Sequence, residues 1–162
     1  MNKKYLAITF LCFISVCLLV EYFGNYWTTE TVSTWYPSLI KPSWTPPDAV
    51  FGPTWSVLYV MIAVSGWLLY RSDSSKERSI ALLFYTLQLF LNFIWSFLFF
   101  SLQSPLWALI DIIPLCVLIM LTIYKAWSVD RLASVILLPY LFWVMYASSL
   151  NLFIWYLNKI PV

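Results

Sequence analysis

Apolar residues dominate five long runs along this 162-residue chain, at about 5–23, 51–70, 80–102, 106–124 and 132–157. Each run approximates the ~20 residues that a helix needs to cross about 30 Å of hydrocarbon. The runs are continuous and do not alternate, which predicts helices and not barrel strands. Polar and aromatic residues recur inside them at helical spacing. In the second run Trp55, Tyr59 and Gly66 share a face; in the third Gln88, Asn92, Trp95 and Phe99 do, with Tyr85 a turn earlier. The fourth carries Trp107, Asp111 and Pro114, and the fifth Pro139, Trp143, Ala147 and Asn151. Hydrocarbon has no water to satisfy such groups, so these faces must turn inward and converge. The expected fold is an all-α membrane protein, a five-transmembrane-helix bundle forming one domain over 1–162.

The connections differ in kind. Segment 24–50 holds Trp27, Trp35 and Trp44 with Pro37, Pro42, Pro46 and Pro47. Prolines fix φ and forbid long helix, so this segment is expected to be stiff and irregular. It reads as an ordered lid over one end of the bundle; an aromatic belt at headgroup level is the plainer alternative. Gln103-Ser104-Pro105 is so short that it forces spans three and four to run antiparallel. Pro114 and Pro139 are expected to kink their helices.

Composition supports the membrane reading. The chain is 62% hydrophobic and 20% aromatic with 10% charged residues, where a soluble domain carries about 25% charged. A net charge of +2 without a basic stripe argues against nucleic-acid binding. Seven of the nine basic residues (Lys3, Lys4, Arg71, Lys76, Arg78, Lys125 and Arg131) share one side of a five-span topology. Lys41 and Lys159 take the other, so the amino terminus is expected in the cytoplasm and the carboxy terminus outside. Asn2-Lys3-Lys4 before the first run has the look of a signal peptide, but no A-x-A-like site follows and Val16 precedes Cys17. The run is read as a retained span.

No conventional catalytic set is present. Histidine is absent, which removes the usual general base and haem ligand. Cys12, Cys17 and Cys116 lie inside apolar runs and read as packing residues, with no disulfide or zinc spacing, so no metal site is expected. The converging stripes instead suggest a volume walled by indoles and phenyl rings with a few hydrogen-bonding groups, the usual make-up of a lipophilic ligand site. Gln88 and Asn92 fit interhelical hydrogen bonding as well as ligand contact. Asp111 is expected to accept from an indole or hydroxyl more than to relay protons.

The motif Lys41-Pro42-Ser43-Trp44-Thr45-Pro46-Pro47, continued by Phe51-Gly52-Pro53-Thr54-Trp55, resembles the tryptophan-rich sensory protein/translocator protein (TspO/MBR) family, formerly the peripheral benzodiazepine receptors. The likeness runs on through Trp35-Tyr36, Tyr85-Thr86, Gln88, Asn92, Trp95, Trp107-Ala108, Asp111, Pro139-Tyr140-Leu141, Trp143, Ala147 and Leu150-Asn151. It implies a commonly dimeric five-helix protein of the bilayer that binds protoporphyrin IX, haem or synthetic benzodiazepine-type ligands, with no obligatory cofactor. It also implies a lid at Trp35 through Pro47 and, in bacterial members, light-dependent porphyrin breakdown at tryptophans corresponding to Trp55 and Trp143. The expected ligand-binding set is Trp35, Lys41, Trp44, Trp55, Tyr59, Asn92, Trp95, Trp107, Asp111, Trp143 and Ala147. Lys41 is the basic residue placed to meet a propionate. The expected setting is the plasma membrane of a bacterium and the expected role a porphyrin sensor or translocator. A photo-oxidative enzyme, a proton-coupled exporter using Asp111 and a ligand-free scaffold are the alternatives.

Overall fold

The computed structural model describes residues 3–159, so Asn2 of the signal-like segment lies outside the described residues. Six α-helices follow in order: α1 (Lys3–Thr31), α2 (Asp48–Arg71), α3 (Lys76–Ser96), α4 (Pro105–Trp127), α5 (Arg131–Ile136) and α6 (Leu138–Asn158). α5 and α6 together make the fifth span, and five segments are long and apolar enough to cross a membrane. Among the described residues there is no strand. The expected all-α membrane bundle is the fold. α1 packs on α2 and α3, α4 lies between α3 and α6, and α5 is wedged against α2 and α4.

Two of the differences from the expected boundaries bear on the site. α1 continues to Thr31, so residues 24–31 are helix and the loop is 32–47. Gly24 does not end the helix; a Cβ there would stand 3.3 Å from Ser96 Oγ, so the glycine lets α1 approach α3 closely. Beyond it, Thr28, Thr29 and Thr31 return their hydroxyls to carbonyls one turn back, at 2.7–3.1 Å. The third span ends in a π-helical turn, Phe97–Ser101, marked by the Leu102 N–H bonding Phe97 O at 2.9 Å. The chain then reverses at Gln103, whose φ of 49° is the left-handed conformation that commonly closes a helix. The two prolines act differently. α4 runs through Pro114, whereas the fifth span breaks at Leu137, just before Pro139.

Buried polar side chains tie the helices together. The Tyr59 hydroxyl donates to Asn92 Oδ1 (2.5 Å), Asn92 Nδ2 donates to Tyr140 Oη (3.2 Å), and the Tyr140 hydroxyl donates to Gln88 Oε1 (2.8 Å). This chain joins α2, α3 and α6. Ser65 and Ser134 do the same at the far end, donating to Ala133 O (2.7 Å) and Ile123 O (2.8 Å).

The loop, called the lid below, is ordered and tied to α6. Asn158 of α6 clamps Ile40 with both halves of its amide, accepting from the backbone N–H at 3.0 Å and donating to the carbonyl at 2.9 Å. The Tyr146 hydroxyl donates to Trp44 O (2.7 Å), and the Trp44 ring packs edge-on against Phe153 at 4.8 Å. Lys41 Nζ ties the lid to itself, donating to Tyr36 O at 2.8 Å.

Gly66 and Gly52, both in α2, give opposite expectations. A Cβ at Gly66 would meet Tyr85 Cζ at 2.4 Å and Phe13 Cδ1 at 2.8 Å, while one at Gly52 meets nothing within 4 Å. Gly66→Ala is expected to destabilise the folded protein by about 1–3 kcal/mol through overpacking, outweighing its gain in helix propensity. Gly52→Ala is expected to leave stability equal or slightly higher. Thermal unfolding of both variants in detergent checks the contrast.

Candidate functional site

A cavity of about 300 Å³ lies under the lid, where the ends of α1, α2, α3 and α6 meet. α1 and its continuation supply Asn25, Thr28 and Val32, three positions on one helical face. α2 supplies Asp48, Phe51, Gly52 and Trp55, and the lid supplies Tyr36. Trp95, Phe99 and Phe100 form the wall from the third span. The wide turn matters here: it shifts the face register so that two successive phenylalanines, 4.9 Å apart, both reach the cavity. α6 closes the far side with Ala147, Leu150, Asn151 and Ile154. Asn25, Asp48 and Gly52 are exposed as well as lining, so they form the rim.

Fixed and looser walls differ in their hydrogen bonding. The Trp95 indole N–H donates to Asn151 Oδ1 (3.0 Å), and Asn151 Nδ2 donates to Pro105 O (2.8 Å), which locks that ring between α3, α4 and α6. Trp95 also stacks on Phe99 at 5.2 Å and 24°. Trp55 rests on ring contacts, with Tyr59 at 5.5 Å and Tyr140 at 6.3 Å. In the lid, the Tyr36 phenol is pushed up to about 12, first by burial and then by the nearby Asp48 carboxylate. Tyr36 therefore stays a neutral donor at the cavity edge.

Trp55, Trp95 and Ala147 of the expected set line this cavity. Trp143 stands one ring behind it, 5.9 Å from Phe51, with its indole N–H buried and without a hydrogen-bond partner. Tyr59 and Asn92 lie deeper, in the polar chain beneath the floor. Lys41 and Trp44 hold the lid and do not line the cavity. Trp35 packs edge-on against Phe99 at 5.7 Å and borders a second groove of about 270 Å³ with Gln103, Trp155 and Lys159. Trp107 is 58% exposed, and neither it nor Asp111 lines the cavity. Asp111 is buried, but its Oδ2 has no hydrogen-bond partner, so the expected indole or hydroxyl donor is not found at that atom.

Sequence reasoning passed over Asn25, Thr28, Tyr36, Asp48 and Phe100 as lining residues. The i, i+3, i+7 spacing of Asn25, Thr28 and Val32 was a usable signal, hidden by treating Gly24 as the end of the helix. Phe100 gives no such signal, because regular helical spacing from Trp95 does not select it.

Residues 13–157 match the model of the TspO/MBR family. The chain belongs to that family. It is 41% identical over 145 residues to the "Tryptophan-rich protein TspO" of Archaeoglobus fulgidus, covering 90% of this chain and 94% of that one. It is 40% identical to the protein of the same description from Chlorobaculum tepidum, over 98% of this chain and 99% of that one. The human "Translocator protein" is 34% identical over 75% of this chain and 73% of its own. Membership and five apolar spans together make this a multi-pass protein of a lipid bilayer.

The hydrogen bonds of Asn92 give it a structural load separate from the cavity. Asn92→Ala removes partners from both Tyr59 and Tyr140 and leaves buried hydroxyls short of bonds, at a cost of about 1–3 kcal/mol. Thermal stability in detergent is expected to fall clearly, and thermal unfolding of the variant beside the unaltered protein checks it.

Proposed function

We propose that the chain binds a flat, lipophilic aromatic ligand of the tetrapyrrole class in the cavity beneath the lid, and acts as a membrane sensor or translocator. One observation carries this reading: Trp55 and Trp95, from different helices, face one apolar cavity with Ala147 opposite and a lid above. The names of two relatives, the human translocator protein and the tryptophan-rich sensory protein of Cereibacter sphaeroides, support the role. The volume of about 300 Å³ sits at the small end of ligand sites, about 300–1,000 Å³, so a tetrapyrrole enters edge-first with its far edge at the rim. Stacking on a lining ring such as Trp55 is worth about 0.5–1.5 kcal/mol beyond area burial. Trp143 backs Phe51 and supports that wall.

Setting and assembly belong to the same proposal. Lys4, Arg71, Lys76, Arg78, Lys125 and Arg131 lie at the helix ends away from the lid. By the positive-inside rule that end faces the cytoplasm of a bacterial plasma membrane, with the lid outside. A homodimer is part of the same reading, supported by the family resemblance alone. Titration with protoporphyrin IX is expected to quench tryptophan fluorescence at micromolar ligand. Gly52→Leu, which grows a side chain from the cavity lining, is expected to weaken that response about tenfold or more, equivalent to ~1.4 kcal/mol. Equal affinity in the variant rejects the cavity as the site.

A second reading has its own support. Trp55 lines the cavity and Trp143 adjoins it through Phe51, so a light-excited porphyrin would have two indoles within reach of its ring as electron donors. Chemistry of this kind is supplied by the ligand, and the protein positions the partner. Under illumination in air, the Soret band is expected to bleach several-fold faster with the protein than with detergent alone, and Trp55→Phe/Trp143→Phe to remove most of the gain. Equal bleaching with and without the protein discards this reading.

A further inference from the structure

The rim of the cavity carries information about ligand charge, and this inference rests on the cavity being the ligand site. Among the described residues that line it, Asp48 is the one with a charged side chain. Asp48 opens α2, where a carboxylate is held by the positive end of the helix dipole. Burial first, and then the Asp48 carboxylate, raise the phenol of the lining Tyr36, so the two groups lie within electrostatic reach of one another. The cations at this end of the bundle are engaged elsewhere. Lys41 Nζ bonds Tyr36 O at 2.8 Å and sits 4.2 Å over the Tyr36 ring, and Lys159 Nζ sits over Trp155 (5.3 Å) and Tyr156 (4.2 Å). The balance of the lid half points the same way: it holds Glu21, Glu30, Asp48 and Asp111 against Lys41 and Lys159.

We propose that Asp48 sets the ligand class of this cavity: a flat lipophilic molecule that brings a neutral, cationic or hydrogen-bond-donating edge to the rim, with any carboxylate turned away from the start of α2. The physical reason is like-charge repulsion at the mouth, which acts within the ~10 Å screening length at 0.1 M salt. α2 also has its own carboxylate at its first turn, so its positive end is already complemented and offers little to a ligand anion. For a tetrapyrrole this means that the propionate edge is the one left outside. The plainer role for Asp48, stabilising the start of α2, does not distinguish an acid from its ester.

The test compares protoporphyrin IX with its dimethyl ester, by fluorescence quenching of the full chain in neutral detergent at low salt. In the unaltered protein the ester is expected to bind more tightly than the free acid once both are corrected for partition into detergent. Asp48→Asn is expected to improve the acid relative to the ester by about three- to tenfold, and Asp48→Glu to keep the original ratio. Raising salt from low to about 0.5 M should shrink the difference between the unaltered protein and Asp48→Asn. An acid-to-ester ratio that is the same with Asp48 and with Asn overturns the inference while leaving the ligand site intact, provided Gly52→Leu still weakens the ester. Ester binding that ignores Gly52→Leu overturns the cavity reading and this inference with it. Should Asp48→Asn fold poorly, Asn25→Asp at the same rim adds a second negative charge and is expected to widen the ester preference; an unchanged ratio there overturns the inference equally.

Discussion

Hydrocarbon gives a polar side chain no solvent partner, and the helices of this protein are arranged around that requirement. Tyr59, Asn92, Tyr140 and Gln88 form one hydrogen-bonded file through α2, α3 and α6. Individual bonds of this kind contribute modestly, about 0.6 kcal/mol on average in membrane bundles. Their weight lies in specificity. A rotation of any of the three helices leaves hydroxyls and amides facing acyl chains, so the file fixes which faces meet. The cavity rests directly on that fixed floor, because Trp55 and Tyr59 are a turn apart on α2 and Asn92 and Trp95 are nearly a turn apart on α3. Trp95 is held by the same logic at the next level, where Asn151 satisfies its indole and then reaches Pro105 O.

This is also why so much of the fold was legible. Apolar run length gave five spans, and the polar periodicity of Asn92, Trp95 and Asn151 gave faces that had to be internal. Pairing was not legible, since spacing says that Asn151 faces inward but not that Trp95 is its partner. Regular spacing also fails where the helix is irregular. The π-turn at Phe97–Ser101 brings Phe100 to the cavity, and nothing in the local composition announces it. Gly24 misled in the other direction: glycine often punctuates a helix, yet here it serves close approach to Ser96 and α1 continues for almost two turns. Trp107 and Asp111 show a further limit. They are one turn apart on α4, but the indole is 58% exposed and the carboxylate is buried. Position along the bilayer normal separates them, since an indole at the first turn of a span is comfortable at headgroup level.

The lid joins rigidity of two kinds. Pro37, Pro42, Pro46 and Pro47 narrow the conformations open to the unfolded segment, so less entropy is lost when it settles. Polar clamps then choose one conformation. Asn158 engages Ile40 on both its backbone groups, and Tyr146 takes the Trp44 carbonyl. Trp44, one of the expected ligand residues, packs its ring edge-on against Phe153, gives its carbonyl to Tyr146 and does not line the cavity. The segment Lys41-Pro42-Ser43-Trp44 thus shapes the roof without lining the cavity beneath it.

Lys41 illustrates how this arrangement constrains recognition. A lone lysine near an aromatic cavity invites the reading that it meets a ligand carboxylate. Here its ammonium is drawn to the Tyr36 carbonyl and ring face, interactions already present in the closed lid. Recruiting it to a ligand would weaken the turn that keeps Tyr36 over the cavity, so an ion pair would be gained at the expense of the roof. Apolar ring contact carries no such conflict, because Trp55 and Trp95 line the cavity without holding the lid. In the proposed binding mode, affinity therefore comes from shape and desolvation, and charge at the rim acts as a filter.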